Sequence, residues 1–191
     1  KQAAKNGRRD TSFDFGTNPC SEIILRPHQF CNLTEVVVKD SDKDVDIERK
    51  IRLATILGTA QSTLTDFPYL RKTWRTNTEE ERLLGVSLTG IMDNIHTNCN
   101  LVDMDKRLIK YKQVAINTNK EFAKQFGIQE STAITCVKPS GTVSQLCDSA
   151  SGIHARHSRY YIRTVRGDNK DPLTQFMVDQ GVPNEPCVMK P

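Results

Sequence analysis

Within GTNPCSEIILRPHQFCNL, residues 16–33, stand an amide, two thiols and a carboxylate: Asn18, Cys20, Cys31 and Glu22. Such groups are uncommon beside an aliphatic run like EIIL. On an extended backbone, alternation by two places Asn18, Cys20 and Glu22 on one side. A carboxylate raises the pKa of a neighbouring thiol, so Cys20 is a poor thiolate nucleophile. Kept as S–H, it gives or takes a hydrogen atom, while Glu22 takes a proton from a substrate hydroxyl nearby. The alternative is a core cysteine and a loop glutamate without chemistry, since free Cys often serves as a small apolar residue. Cys31 follows Cys20 by eleven positions, which is neither CxxC nor a zinc ribbon. A metal site from Cys20, His28 and Cys31 lacks a fourth partner at sensible spacing, so no metal is expected. Two thiols with different neighbours fit different redox tasks.

A second constellation is Lys138-Pro-Ser-Gly-Thr-Val-Ser144, between the apolar stretch TAITCV and a helix expected to begin near Thr142. Small residues let backbone approach a ligand, and free N–H groups with hydroxyls at a helix N-terminus favour a phosphate. The spacing is not that of a Walker A loop. The competing reading is a plain strand-to-helix turn with Ser and Thr as caps. In SGIHARHSRYYIRTVR, residues 151–166, basic and aromatic residues interleave as in nucleic-acid sites. The patch is short, and a solvated strand with snorkelling Arg accounts for it better.

The elements that must position these groups read as follows. Residues 20–26 and 33–39 have strand composition. The polar run 39–46 is a turn into a helix, with Asp44 or Asp46 as cap and Glu48 in the first turn. Ile47, Ile51, Ala54, Leu57, Ala60, Leu64 and Phe67 mark its buried face, and Pro68 stops it. LLGVSLTGI (83–91) is a strand candidate. A long helix runs from about Asp103 to Phe126, with Met104, Leu108, Tyr111, Ala115, Thr118, Phe122 and Phe126 inward and Gly127 as C-cap. TAITCV and YYIRTVR (160–166) are further strands, and a helix near Pro172–Gln180 closes at Gly181. Strands alternating with long helices argue an α/β architecture with parallel strands.

The chain has 191 residues, 37% hydrophobic and 26% charged, with a formal net charge of +4. That balance suits an anionic small molecule as well as weak nucleic-acid contact and decides neither. Nothing in these residues resembles a signal peptide, and no apolar run approaches membrane length. Cys20, Cys31, Cys99, Cys136, Cys147 and Cys187 are too sparse for a disulfide framework, so reduced thiols and a cytoplasmic location are expected. The basic start KQAAKNGRRD and the end NEPCVMKP suggest a fragment of a longer enzyme, without an internal domain boundary.

Taken together and in this order, TNPCSEI, Cys31, KPSGTVSQL and SGIHARHSRYYIRTVR resemble the catalytic subunit of ribonucleotide reductases, most closely the monomeric, adenosylcobalamin-dependent class II enzymes. The resemblance implies an oxidoreductase that makes 2′-deoxyribonucleotides for DNA replication, and an α/β barrel of ten strands built from two parallel halves. It implies that Cys20 is the thiyl-radical cysteine at the tip of a finger loop. Glu22 is the base on the substrate 3′-hydroxyl, and Asn18 holds Glu22 and the hydroxyls. Cys31 is one member of the dithiol that reduces the 2′-position. Ser140, Gly141, Thr142 and Ser144 bind the substrate phosphates. The implied partners are a ribonucleoside di- or triphosphate, a nucleotide effector, adenosylcobalamin and an external dithiol such as thioredoxin, with no membrane and no nucleic acid. The short gap from Cys20 to Cys31 favours class II over class I, and the use of a second cysteine disfavours class III. The partner of Cys31, the allosteric site and the C-terminal re-reducing thiols are not found in this chain, so the chain alone is expected to be inactive. A glycyl-radical barrel enzyme and a non-catalytic nucleotide-binding module are the alternatives.

Overall fold

The fold is that of a computed structural model, which describes residues 9–98 and 103–189. Cys99 and most of the basic start therefore lie outside the described residues. The chain divides into two compact units, one ending at Arg156 and one from His157 onward.

In the first unit, β1 (Gly16–Thr17) and β2 (Ile24–Leu25) form an antiparallel hairpin in the register Gly16↔Leu25 and Thr17↔Ile24. β3 (Asn32–Val37) follows, then α1 (Asp44–Gln61), α2 (Lys72–Glu81) and β4 (Leu84–Thr89). β3 and β4 pair in parallel from Asn32↔Leu84 to Val37↔Thr89, as the alternation of strands and helices predicts. TAITCV joins the same sheet more briefly than expected, through a bridge from Thr135 to Val86. Val86 N–H donates to Ile134 at 2.8 Å, and Cys136 N–H donates to Val86 at 3.1 Å. α3 (Met104–Phe126) packs beside α1, and α1 lies across β3 and β4. The core between them comprises Val36, Val38, Ile47, Ile51, Ala54, Leu84, Val86, Tyr111, Ala115 and Ile134. β-Branched and aliphatic residues on strands meeting one stripe of each helix is how such a layer forms.

The buried face of α1 differs from the apolar periodicity. Leu57 and Leu64 are 66% and 72% exposed, and Thr55, Gly58 and Thr59 are buried instead. The cause is close approach: a methyl on Gly58 would stand 3.4 Å from Leu84 Cδ2 and 3.5 Å from Thr34 Cγ2. The buried threonine hydroxyls are satisfied within the helix, donating to Ile51 and Thr55 carbonyls at 2.8 and 2.7 Å. The helix also ends at Gln61, well before Pro68. Lys43 is its N-cap rather than Asp44 or Asp46, and the Asp46 carboxylate accepts from Lys43 N–H at 3.1 Å. In α3 the expected positions Leu108 and Phe126 are partly exposed, while Asn119 and Ala123 are buried. Asn119 Nδ2 donates to Thr59 Oγ1 and to Ser131 Oγ, each at 3.0 Å, which ties α1, α3 and the following segment together. Gly127 ends α3 at φ +66°, as predicted.

α4 (Thr142–Leu146) starts where the sequence places it but is a single short turn of helix. In the second unit, residues 160–166 are not a strand: Ile162 is 98% exposed and Val165 78%. A strand needs a ladder partner, and among the described residues this segment has none. α5 (Pro172–Asp179) matches expectation, with Pro172 at its first turn, the Asp171 carboxylate accepting from Leu173 N–H at 2.9 Å, and Gly181 at φ +78° after it.

Gly90 and Gly127 test how much this layer depends on local backbone. Both have positive φ, but a methyl on Gly90 would strike the Val38 carbonyl, whereas one on Gly127 meets nothing within 4 Å. Gly127→Ala is expected to cost only the left-handed penalty of about 1–2 kcal/mol. Gly90→Ala is expected to cost distinctly more, read as the larger fall in urea midpoint. Equal falls would contradict the clash.

Candidate active site

Asn18, Cys20 and Glu22 sit in the loop of the β1–β2 hairpin. The extended backbone expected there is not found. Ser21 has φ +62°, its N–H donates to the Asn18 carbonyl at 2.9 Å, and Asn18 N–H donates to Ile23 at 3.2 Å. Asn18 Oδ1 also accepts from Ile23 N–H at 3.1 Å. A tight turn over Asn18–Ser21 results, closed by its backbone and braced by the Asn18 side chain on Ile23. The three side chains therefore do not line up by alternation. Cys20 is exposed at the tip, while the Glu22 side chain turns inward and is 1% exposed.

Glu22 Oε1 receives the Lys138 ammonium at 3.0 Å, and Oε2 is buried without a hydrogen bond. Burial acts to raise the Glu22 carboxyl. Its own N–H, the Asn18 amide and Lys138 outweigh this and hold it below the usual glutamate value. The Lys138 ammonium is raised in turn, chiefly by Glu22. Cys31, just ahead of β3, is half-buried and its thiol is pushed up to about 12. Burial is the main cause, with the nearby Cys136 and Glu22 adding to it. Cys136 is raised to about 11 by burial and by Glu22. Both are neutral S–H groups near pH 7. Cys31, Glu22, Cys136 and Lys138 thus share one locality, and the charge on Lys138 also responds to Cys20. Gly85 of β4 lets its neighbours pack closely: a methyl there would strike Leu33 and stand 3.1 Å from both Cys136 Sγ and Ile23 Cδ1.

Cys136 and Lys138 carried no assignment from the sequence. Their two-residue spacing after TAIT is the signal that places them on one side of an extended segment. His28 does not join the site; its ring packs on Trp74 at 5.4 Å.

In the loop from Lys138, Ser140 is 6% exposed and its hydroxyl is buried without a partner. Gly141 has φ −100° and open space where a side chain would stand, so room rather than a left-handed φ is what glycine provides. Thr142 is exposed at the start of α4. Ser144 is fully buried and donates to the Gly141 carbonyl at 2.7 Å, which shapes the loop from behind. The Ser151 hydroxyl donates to the Ser140 carbonyl, and Gly152 packs against the Lys138 carbonyl.

The hairpin is fixed by a buried ionic cluster. Glu81, at the end of α2 and 1% exposed, receives Arg9 at 2.6 Å, Gln29 Nε2 at 2.6 Å and Arg26 at 3.3 Å. Arg9 also donates to the Ile24 carbonyl at 2.5 Å, and Gln29 Oε1 accepts from Arg26 N–H at 2.8 Å. Phe30 packs on Trp74 and edge-on against Phe67, with centroids 4.7 and 5.0 Å apart, seating the β2–β3 connection on α2 and the segment before it.

No family model matches the chain. It is 31% identical over 184 residues to the adenosylcobalamin-dependent ribonucleoside-triphosphate reductase of Lactobacillus delbrueckii subsp. bulgaricus, covering 83% of this chain and 24% of that protein. The enzyme of the same name from Euglena gracilis is 29% identical over 179 residues, covering 92% of this chain and 24% of that protein. A crystal structure of a B-12 dependent, class II ribonucleotide reductase superposes with a TM-score of 0.56 at 27% identity, over 73% of this chain and 22% of the other. The chain is homologous to a segment of the ribonucleotide reductases. It spans about a quarter of the length of the relatives it matches. The class II likeness read from NPCSE and KPSGT is borne out, and so is a mixed α/β fold.

Two results follow from the site. With iodoacetamide at pH 8, peptide mapping is expected to find Cys20 modified well before Cys31 and Cys136, whose thiolate fractions are small; Cys31 reacting as fast as Cys20 would contradict its burial. Glu81 gives a pH dependence. Burial raises its carboxyl, but Arg9 and Gln29 bring it below the ordinary value. Its contribution is full above the unfolded carboxyl value of roughly 4.3 and is lost as pH falls through the lower folded value. Glu81→Gln leaves buried arginines uncompensated and is expected to cost about 3–5 kcal/mol at pH 7, with a flatter acid limb in urea titrations. An unchanged midpoint at pH 7 would contradict the anchor.

Proposed function

We propose that this chain is the active-site segment of a ribonucleotide reductase that converts ribonucleoside triphosphates to 2′-deoxyribonucleotides by thiyl-radical chemistry. The observation that carries the reading is the Lys138–Glu22 ion pair at 3.0 Å, which joins the KPSGT loop to the NPCSE turn so that one nucleotide reaches both. The relatives are named triphosphate reductases, which favours a triphosphate over a diphosphate.

In this reading Cys20, as a radical, takes the hydrogen atom from the ribose 3′-carbon and later returns it. Glu22 accepts the 3′-hydroxyl proton, and its unpartnered buried Oε2 is an acceptor awaiting a donor. Asn18 orients that carboxylate. Cys31, kept as S–H by burial and by its anionic neighbour, supplies one of the two thiols oxidised to a disulfide as the 2′-oxygen leaves as water. The Ser140 hydroxyl and the N–H groups of Gly141 and Thr142 receive phosphate oxygens, and Ser144 holds that loop in shape. A helix of one turn adds little dipole, so these donors carry the contact. Adenosylcobalamin fits the exposed position of Cys20, which leaves the thiol reachable by a bound group, and supplies the radical chemistry that no side chain here supplies. A thioredoxin-like dithiol re-reduces the enzyme, a nucleotide effector regulates it, and the segment belongs to a ten-stranded α/β barrel in the cytoplasm.

In the full-length protein, Cys20→Ser is expected to abolish both deoxynucleotide formation and substrate-dependent radical signals in electron paramagnetic resonance. Glu22→Gln should retain radical initiation and lose roughly 10²–10⁴-fold in turnover. Cys31→Ser should initiate and then release decomposed substrate rather than product. Retained turnover by Cys20→Ser would overturn the assignment, and repeated clean turnovers by Cys31→Ser with a small dithiol would remove Cys31 as reductant.

A further inference from the structure

We propose that Lys138 is a counter-ion shared between Glu22 and the nucleotide phosphates: it pairs with Glu22 in the free protein and swings to the phosphates when substrate binds. The inference rests on the ribonucleotide reading above and adds a positioning residue to it.

Three observations carry it. The Glu22 side chain is 1% exposed, with Oε1 on Lys138 at 3.0 Å and Oε2 buried without a partner. A carboxylate held by an ammonium is a weakened base, because the cation favours its ionised form. Second, Lys138 lies two residues before Ser140, at the mouth of the loop, and its side chain is 29% exposed while Glu22 is closed off. The cation is therefore the accessible half of the pair. Third, the backbone beneath it is held. Gly152 would place a methyl 3.3 Å from the Lys138 carbonyl and 3.8 Å from Ser140 N, and Ser151 donates to the Ser140 carbonyl. A flexible stem on a fixed backbone lets the ammonium move without the loop. The buried Ser140 hydroxyl without a partner marks the same loop as awaiting a ligand.

The groups around the pair are Cys31 and Cys136, both neutral thiols, the Asn18 amide, and Cys20 on the Lys138 side. Arg9 acts on Cys31, but its guanidinium is engaged by Glu81 at 2.6 Å. No second cation among these replaces Lys138 at Glu22. Phosphates offer several charged acceptors, so the ammonium gains by moving. Glu22 is then left buried and unpaired, and desolvation makes it a stronger base at the moment the ribose arrives. Phosphate recognition thereby switches on the proton acceptor.

The test uses the full-length protein, with Lys138→Met and Lys138→Arg, and CTP, cytidine and inorganic tripolyphosphate as probes. Lys138→Met is expected to weaken binding of CTP and tripolyphosphate by about ten- to a hundredfold, the worth of one charge-assisted contact, and to leave cytidine unaffected. KM for CTP rises while kcat stays within a few-fold. The acid limb of kcat/KM, which reports the free protein, moves to higher pH because the Glu22 carboxyl has lost its cation; the acid limb of kcat does not move. Lys138→Arg restores both. A fall in kcat with unchanged CTP binding would overturn the proposal in favour of a static partner for Glu22, as would an unmoved kcat/KM limb. A wild-type protein that neither binds CTP nor forms deoxynucleotide would instead overturn the functional reading on which this one rests.

Discussion

One buried carboxylate organises the site from a distance. Glu81, 1% exposed at the end of α2, accepts Arg9 and Gln29 at 2.6 Å each. Through Arg9 it fixes the Ile24 carbonyl in β2, and through Gln29 it fixes the backbone of Arg26. The residue after Glu81 turns left-handed, with φ 43° at Arg82, and β4 begins at once. The hairpin that carries Asn18, Cys20 and Glu22 is thus tied to the strand that carries Gly85. A hairpin of so few paired residues has little stability of its own, so the external anchor is what gives the turn a defined place.

From that anchor the chemistry follows by exclusion of water. Glu22 is drawn inward to Lys138, Cys31 and Cys136 are kept as neutral thiols by burial and by that carboxylate, and Cys20 alone of these groups stands at the exposed tip. The division matches the proposed tasks. The residue proposed to meet a radical source is reachable, while the proposed proton acceptor and reductant are sheltered. The parallel pair β3–β4, backed by α1 and α3, supplies the rigid floor.

The parts of this arrangement legible in the sequence were those with local signals. The valines of β3, the run LLGVSLT and the Gly127 and Pro172 helix signals each specify their element through side-chain shape or backbone freedom, and each element is present. The parts that were not legible depend on tertiary contact. α2 has no apolar stripe; it is held by Trp74, Asn77 and Glu81 reaching the β2–β3 connection, contacts that no periodicity reveals. Leu57 looked inward because it is apolar, but close helix–sheet approach selected Thr55, Gly58 and Thr59. Residues 160–166 have strand composition without a described partner strand, so propensity alone did not produce a strand. At the site, Asn18, Glu22 and Cys31 were readable as candidate chemistry, whereas Cys136 and Lys138 gained a place only when the bridge from Thr135 to Val86 brought them beside Glu22.

The central claim is that the NPCSE turn and the KPSGT loop are two halves of one nucleotide site. A structure of the full-length protein with a ribonucleoside triphosphate bound tests it most directly. The account predicts phosphate oxygens on Ser140, Gly141 and Thr142, with the ribose 3′-oxygen within hydrogen-bond distance of Glu22 Oε2 and its 3′-carbon facing Cys20. A nucleotide whose phosphates occupy that loop while its ribose points away from Glu22 and Cys20 would contradict it.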